Sequence, residues 1–361
     1  MKSDKSLYLN LEGLRGIAAI AVFFLHASIN GIQPPVSLPG SYLAVDLFFV
    51  LSGFVIEFAF GGRLEGGMSP GRFILARLIR LYPLYIVGSI AGLLSATIAF
   101  FLHAGELNAP GLFAAAVSAL FMLPSPTADQ TNVVFVLNTP GWSLFFELFV
   151  NTLYVVIRPL LTFQVLSGII LVSASLLCYA TFSAGHGDVG SAWSEFYGGF
   201  PRVCFSFFVG VFLFRVAPAA RKPSAYAWII AVLPIIVFAI PASGVARPIL
   251  DIFFVMLVFP AIIYFAVAHE PLGLKAKLFR LLGLISYPLY VIHYPILEMT
   301  RRALRLFGAD PVHQSALLSF GLAVGIALLS WFLVVVYDQP LRRLVSAKLL
   351  SSRTKSQSAQ L

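Results

Sequence analysis

The sequence predicts an all-α, polytopic transmembrane bundle of about ten spanning helices plus one short re-entrant or interfacial helix. Two observations carry that expectation. Of the 361 residues, 59% are hydrophobic and only 11% charged, with a mean hydropathy of +0.92; an average soluble domain is about 25% charged. Apolar runs of about 17–25 residues, the length that crosses a hydrocarbon core of about 30 Å, recur along almost the whole chain. The net charge of +9 would point to nucleic acid in a soluble protein. Here the basic residues sit in short loops beside apolar runs, the pattern of topology signals.

The runs fall at 12–30, 42–60, 81–102, 142–158, 162–182, 199–216, 225–241, 249–267, 281–299 and 315–337. A further apolar piece, 111–123, is short and is followed by Pro124 and Pro126, so a re-entrant or interfacial helix is expected there, not a crossing. The Lys/Arg distribution agrees. With a cytoplasmic N-terminus and ten crossings, 18 Lys/Arg fall on the cytoplasmic side, five outside (Arg202, Arg247, Arg301, Arg302 and Arg305), and Arg15 in the membrane. A crossing by 111–123 would erase that positive-inside asymmetry. Both termini are therefore expected in the cytoplasm, with residues 1–341 as the membrane domain and 342–361 as a polar cytoplasmic tail. No cleavable signal peptide is expected, because Glu12 and Arg15 precede the apolar run Ile17–Leu25. Cys178 and Cys204 lie in apolar runs and read as small core hydrophobes. No His/Cys/Asp spacing suggests a metal.

Charge inside the first run is the strongest functional signal. Arg15 and His26 are eleven residues apart. Eleven helical steps of about 100° overshoot three turns by only about 20°, so both side chains share one face, about 16 Å apart along the axis. Ionisable residues at membrane depth are costly and usually face a bundle interior or mark a site. A histidine there can exchange a proton near neutral pH. With alternating crossings, Arg15 lies near the cytoplasmic face and His26 toward the outer leaflet. Asp46, Ser143, Glu147 and His293 are then expected near the depth of His26, with a carboxylate, Asp46 foremost, beside the imidazole. That set suits general-base catalysis on a hydroxyl; it equally suits interhelical hydrogen bonds that merely hold the bundle.

In RFILARLIRLYP (72–83), Arg77 and Arg80 share a helix face where an inner loop meets the third run. Their guanidinium forks suit phosphate recognition or, alternatively, simple topology signalling with snorkelling side chains. Glu57 is expected near the cytoplasmic end of its helix, balancing an arginine. Arg301, Arg302 and Arg305 suit lipid headgroups or an anionic outer substrate. His103, His186, His269 and His313 fall in loops.

The stretches LNLEGLRGIAAIAVFFLHA, AVDLFFVLSGF, RLIRLYP, GWSLFFE and SYPLYVIH, in this order, resemble the membrane acyltransferase-3 family in its stand-alone form, over about Leu9 to Leu341. The resemblance implies O-acyl transfer, usually of acetyl, from cytoplasmic acyl-CoA to sugars of surface or exported glycans, at a bacterial inner membrane. It assigns the family's Arg-x10-His pair to Arg15 and His26 and its Arg-x-x-Arg pair to Arg77 and Arg80. The acidic-x-Pro motif appears as Asp338-Gln339-Pro340, with Asp where Glu is often found. The expected site is therefore His26 as base with Arg15, Asp46 and Glu147, and Arg77 and Arg80 on the phosphates of acyl-CoA. The partners are the donor, a carbohydrate acceptor and the bilayer, with neither metal nor nucleic acid. A transporter or flippase for a lipid-linked glycan, using Arg15 and His26 as a proton relay, is the competing reading.

Overall fold

The computed structural model describes residues 8–218, 221–241, 243–308 and 316–351. Lys2, Lys5, His313 and the tail beyond Ser351 lie outside the described residues. The chain is a helical bundle of α1 (Leu9–Ile29), α2 (Ala44–Glu65), α3 (Pro70–Phe101), α4 (Ala109–Leu120), α5 (Gly141–Ile157), α6 (Phe163–Ala184), α7 (Gly199–Val216), α8 (Ala227–Ala239), α9 (Ala246–Phe253), α10 (Phe259–Ala268), α11 (Gly273–Leu306), α12 (Ala316–Leu333) and α13 (Gln339–Ser351). Single π-helical turns at Phe254–Val258 and Val334–Asp338 join α9 to α10 and α12 to α13. The only sheet among the described residues is a two-residue parallel pair, Lys222–Pro223 with His269–Glu270.

Nine helical stretches among the described residues are long and apolar enough to cross a membrane. They account for nine of the ten expected crossings. The tenth, 225–241, contains only the 13-residue α8, interrupted by Pro234, about 20 Å of helix where about 30 Å is needed. Its two ends nevertheless lie at opposite ends of α1. Ser224 N donates to Glu270 O (3.0 Å), beside the Glu270 carboxylate that accepts from Leu9 N. At the other end, the Val237 carbonyl oxygen stands 3.0 Å from where a Cβ on Gly40 would sit, beyond the C-terminus of α1.

The segment predicted not to cross forms the 12-residue α4. Tyr82 Oη donates to Leu120 O (2.7 Å), so the end of α4 reaches the first half of α3. The chain then turns back: Leu137 O lies 1.7 Å from the Cβ position of Gly92. Non-helical backbone at this depth is tolerated because it is buried in protein. Asn138 Nδ2 donates to Val291 O (2.9 Å), and both Asn138 and Leu137 are buried.

Helix crossings rely on small residues, since lipid offers no hydrophobic drive to bring helices together. The α2–α7 crossing is reciprocal. A Cβ on Gly53 would lie 1.9 Å from Phe207 O, and one on Gly210 2.0 Å from Val50 O. Along the α1–α11 seam, Phe279 covers Gly13 and Leu282 covers Gly16. The main apolar core runs down this seam. The N-terminus of α1 meets the acidic Glu270, which complements the helix dipole. Burial raises the Glu270 carboxyl above its ordinary range, against the opposing effects of the Leu9 backbone hydrogen bond and Arg221.

Gly53→Ala should lower the melting temperature of the detergent-purified protein, because overpacking a tight crossing costs about 1–3 kcal/mol. Gly168→Ala, where the added Cβ meets nothing within 4 Å, should leave it unchanged. Equal melting of the two variants in a fluorescence-detected thermal shift would contradict the crossing.

Candidate active site

A cavity of about 140 Å³ opens between α1, α2, α3, α5 and α11. Arg15, Arg77 and Arg80 line it against a single carboxylate, Glu147, together with Ser52, Ser143, Ser286, Tyr287 and Tyr290. Arg77 and Arg80 come from the first turns of α3, whose N-terminus is capped by Ser69. Arg77 Nη2 donates to Glu147 Oε1 (2.5 Å), which also accepts from Ser52 Oγ (3.1 Å). The Arg80 guanidinium lies over the Tyr287 ring at 5.4 Å and 4.0 Å from Asp338 Oδ2. Tyr287 is itself tied to α3 by donating to Leu81 O. Asp338 ends the π-helical turn after α12 and also pairs with Arg342; such turns often sit at functional sites. Arg15 pairs with Glu12 one turn earlier (3.1 Å).

Each of the three arginines thus has a carboxylate in reach, Glu12, Glu147 or Asp338, but Asp338 is shared with Arg342, so the cluster keeps a net positive charge. Arg77 Nε is a buried donor with no partner among the described residues. A buried donor of this kind normally finds an acceptor, and Arg forks match phosphate and carboxylate oxygens. This donor set fits an anionic, phosphate-bearing ligand.

Glu147 corrects the expectation from sequence: it sits at the level of Arg15 and Arg77, not beside His26. The reason is the re-entrant segment. It delivers α5 into the bundle at the depth of Tyr85, whose ring edge lies 3.2 Å from the Cβ position of Gly141, so Glu147 lies lower than a full crossing would place it.

The nearest partner of His26 is also corrected. His26 Nδ1 meets His293 Nε2 at 2.7 Å, with the rings stacked at 5.0 Å, instead of meeting a carboxylate. His293 is fully buried, whereas His26 is partly exposed. The Tyr290 ring stands 6.0 Å from His293, and its hydroxyl shares a 2.7 Å hydrogen bond with Ser143 Oγ on the cavity wall. The cavity wall thus adjoins the histidine pair through Tyr290. His293 lies well inside α11, which continues another 13 residues, about 20 Å. His293 is therefore near the middle of α11, deeper than a helix ending at 299 would put it, whereas His26 lies in the last turn of α1.

Asp46 lies elsewhere. Arg202, fully buried on α7, donates to both its oxygens (3.1, 3.1 and 2.8 Å). Arg202 also donates to Val189 O and Tyr42 O, each at 2.9 Å, and stacks against Trp142 at 5.3 Å. The sequence reading treats Arg202 as an outer-loop charge. Its position inside the apolar run GFPRVCFSFFVGVFLFRV carries the same signal as Arg15. Glu57 does balance arginines, Arg158 at 3.1 Å and Arg215 at 3.4 Å.

The sequence matches the acyltransferase-3 family, described as an acyltransferase domain, over residues 8–336. The chain belongs to this family. It is 39% identical over 167 residues to "Protein 2 in picA locus" of Rhizobium radiobacter, covering 42% of this chain and 83% of that protein. It is 31% identical over 144 residues to "Acyltransferase MdmB" of Streptomyces mycarofaciens, covering 37% of this chain and 35% of that protein. No solved structure matches it. The protein is thus a multi-pass membrane acyltransferase.

Asp46→Ala should act on folding. It leaves the buried Arg202 with only the half-exposed Asp188 at 3.5 Å, and breaking a buried pair typically costs about 3–5 kcal/mol. The acyltransferase should then be recovered poorly by size-exclusion chromatography. A well-folded Asp46→Ala variant with lost activity would instead return Asp46 to the catalytic set.

Proposed function

We propose that this acyltransferase moves a short acyl group, acetyl foremost, from cytoplasmic acyl-CoA to a hydroxyl of an exported or cell-surface glycan. Its place is a bacterial inner membrane, with both termini cytoplasmic. The observation that carries the donor assignment is the cavity in which Arg15, Arg77 and Arg80 face one carboxylate. Coenzyme A brings diphosphate and 3′-phosphate groups that such forks bind, with Arg77 and Arg80 as the donor residues. The glycan acceptor rests on the sequence resemblance to family members that modify surface sugars.

In this reading His26 is the base. Its ring removes the proton from the acceptor hydroxyl while that oxygen attacks the thioester carbonyl carbon. The carbon–sulfur bond breaks, the thiolate leaves with the electron pair, and the proton held by His26 passes to sulfur. Arg15 faces the cavity about three helical turns from His26, where its fixed positive charge guides the arm of the CoA donor. Proton-coupled transport of a lipid-linked glycan would use the same two residues without consuming acyl-CoA.

Inverted membrane vesicles supplied with labelled acetyl-CoA separate these readings. Label should enter the carbohydrate fraction, and His26→Ala should abolish it, since a positioned base contributes about 10²–10⁴-fold. Wild-type incorporation by folded His26→Ala protein would remove the base. Arg80→Lys should raise KM for acetyl-CoA despite keeping its charge, because the bidentate fork is lost. Unaltered CoA affinity in an Arg77→Ala/Arg80→Ala double variant would return the pair to topology signalling.

A further inference from the structure

The contact between the two histidines fixes where their protons sit. His293 Nδ1 lies 3.0 Å from the carbonyl oxygen of Leu289, four residues back on α11. A carbonyl only accepts, so Nδ1 of His293 carries hydrogen. A neutral ring has one N–H, which leaves His293 Nε2 as a bare acceptor facing His26 Nδ1 at 2.7 Å. That hydrogen bond requires the proton on His26 Nδ1. His26 Nε2, across the ring from His293, is then the nitrogen with a free lone pair.

The reverse arrangement fails on the same contacts. Were His26 Nδ1 the acceptor, His293 would have to donate from Nε2. Its Nδ1 would then either face the Leu289 oxygen as a second acceptor or carry a further proton, making a fully buried imidazolium. The geometry is held from several sides. The Phe23 ring lies 6.4 Å and the Tyr290 ring 6.0 Å from His293, and the Tyr294 ring meets His26 edge-on at 5.2 Å.

We infer that His293 is a positioning residue: its bare Nε2 accepts from His26 Nδ1–H and holds His26 in the tautomer whose Nε2 is basic. The proposal rests on the reading of His26 as the base. A carboxylate fills this orienting role in many hydrolases. Here an imidazole serves, itself fixed by a backbone carbonyl. When His26 takes up a proton at Nε2, its Nδ1–H becomes a charge-assisted donor to the same partner. The resting pair is neutral, so no isolated charge is buried while the site is idle.

The test compares two uncharged replacements of similar length in the vesicle assay with acetyl-CoA. His293→Gln can place its amide oxygen near the position of Nε2 and keep the acceptor; His293→Leu cannot. His293→Leu should lower the rate at saturating acetyl-CoA by about 100-fold or more, with KM for acetyl-CoA unchanged. His293→Gln should stay within about tenfold of wild type. Equal rates for the two variants overturn the proposal. Independently, ¹⁵N NMR of the full-length, histidine-labelled wild-type protein should show His26 with a protonated Nδ1 and a bare Nε2, assigned by difference from His26→Ala. A protonated Nε2 in the neutral ring overturns the proposal even where His293→Leu does not fold. Loss of activity in His26→Ala together with a wild-type rate in His293→Leu would sink the positioning role alone. A wild-type rate in His26→Ala would sink the base reading, leaving the tautomer to be judged by the NMR.

Discussion

A charge inside a bilayer-embedded bundle has to be neutralised by a partner or face a polar cavity, because each buried ion otherwise costs several kcal/mol. That constraint sorts the ionised residues into two groups. Asp46 and Arg202 pair within the bundle, and the remaining guanidinium protons go to the Val189 and Tyr42 carbonyls and to the half-exposed Asp188. Glu57 does the same with Arg158 and Arg215, and Tyr154 donates to its second oxygen. These clusters tie α2 to α5 and α7. Arg15, Arg77 and Arg80 form the other group: each reaches a carboxylate, Glu12, Glu147 or Asp338, yet all three face a polar cavity, and Asp338 is shared with Arg342.

The same helix serves both functional centres. On α11, Ser286, Tyr290 and His293 follow at intervals of four and three residues, which places them on one face. Ser286 and Tyr290 line the cavity, and His293 meets His26. Because α1 packs along α11 over Gly13 and Gly16, the Arg15–His26 face of α1 runs beside this ladder. Helix periodicity on α1 and on α11 therefore aligns a cationic cavity with a neutral imidazole pair.

Much of this was legible from residue spacing. The common face of Arg15 and His26, the joint placement of Arg77 and Arg80, and the failure of 111–123 to form a spanning helix follow from length and the helical period. What misled was the assumption that every apolar run starts at a membrane surface. The re-entrant segment drops α5 to the level of Tyr85, so Glu147 lands beside Arg77. Likewise α11 extends to Leu306, which leaves His293 well inside the helix. Arg202 was hidden by its place near the start of a run, where a loop charge and a buried charge look alike in sequence. Only the packing of α7 against α2 separates them, and once Asp46 is held by Arg202 it cannot serve the imidazole.

That allocation of carboxylates bears on the histidine pair. Asp46 is spent on Arg202, and Glu147 on Arg77 and Ser52. A third carboxylate at His26 would need its own neutralising cation in a part of the bundle walled by Phe23, Tyr290 and Tyr294. A second imidazole avoids that requirement. It supplies one acceptor without charge, and the Leu289 carbonyl fixes which nitrogen supplies it. Positive charge then arises on His26 only when it takes up a proton, where the facing lone pair of His293 already points at the N–H that must stabilise it.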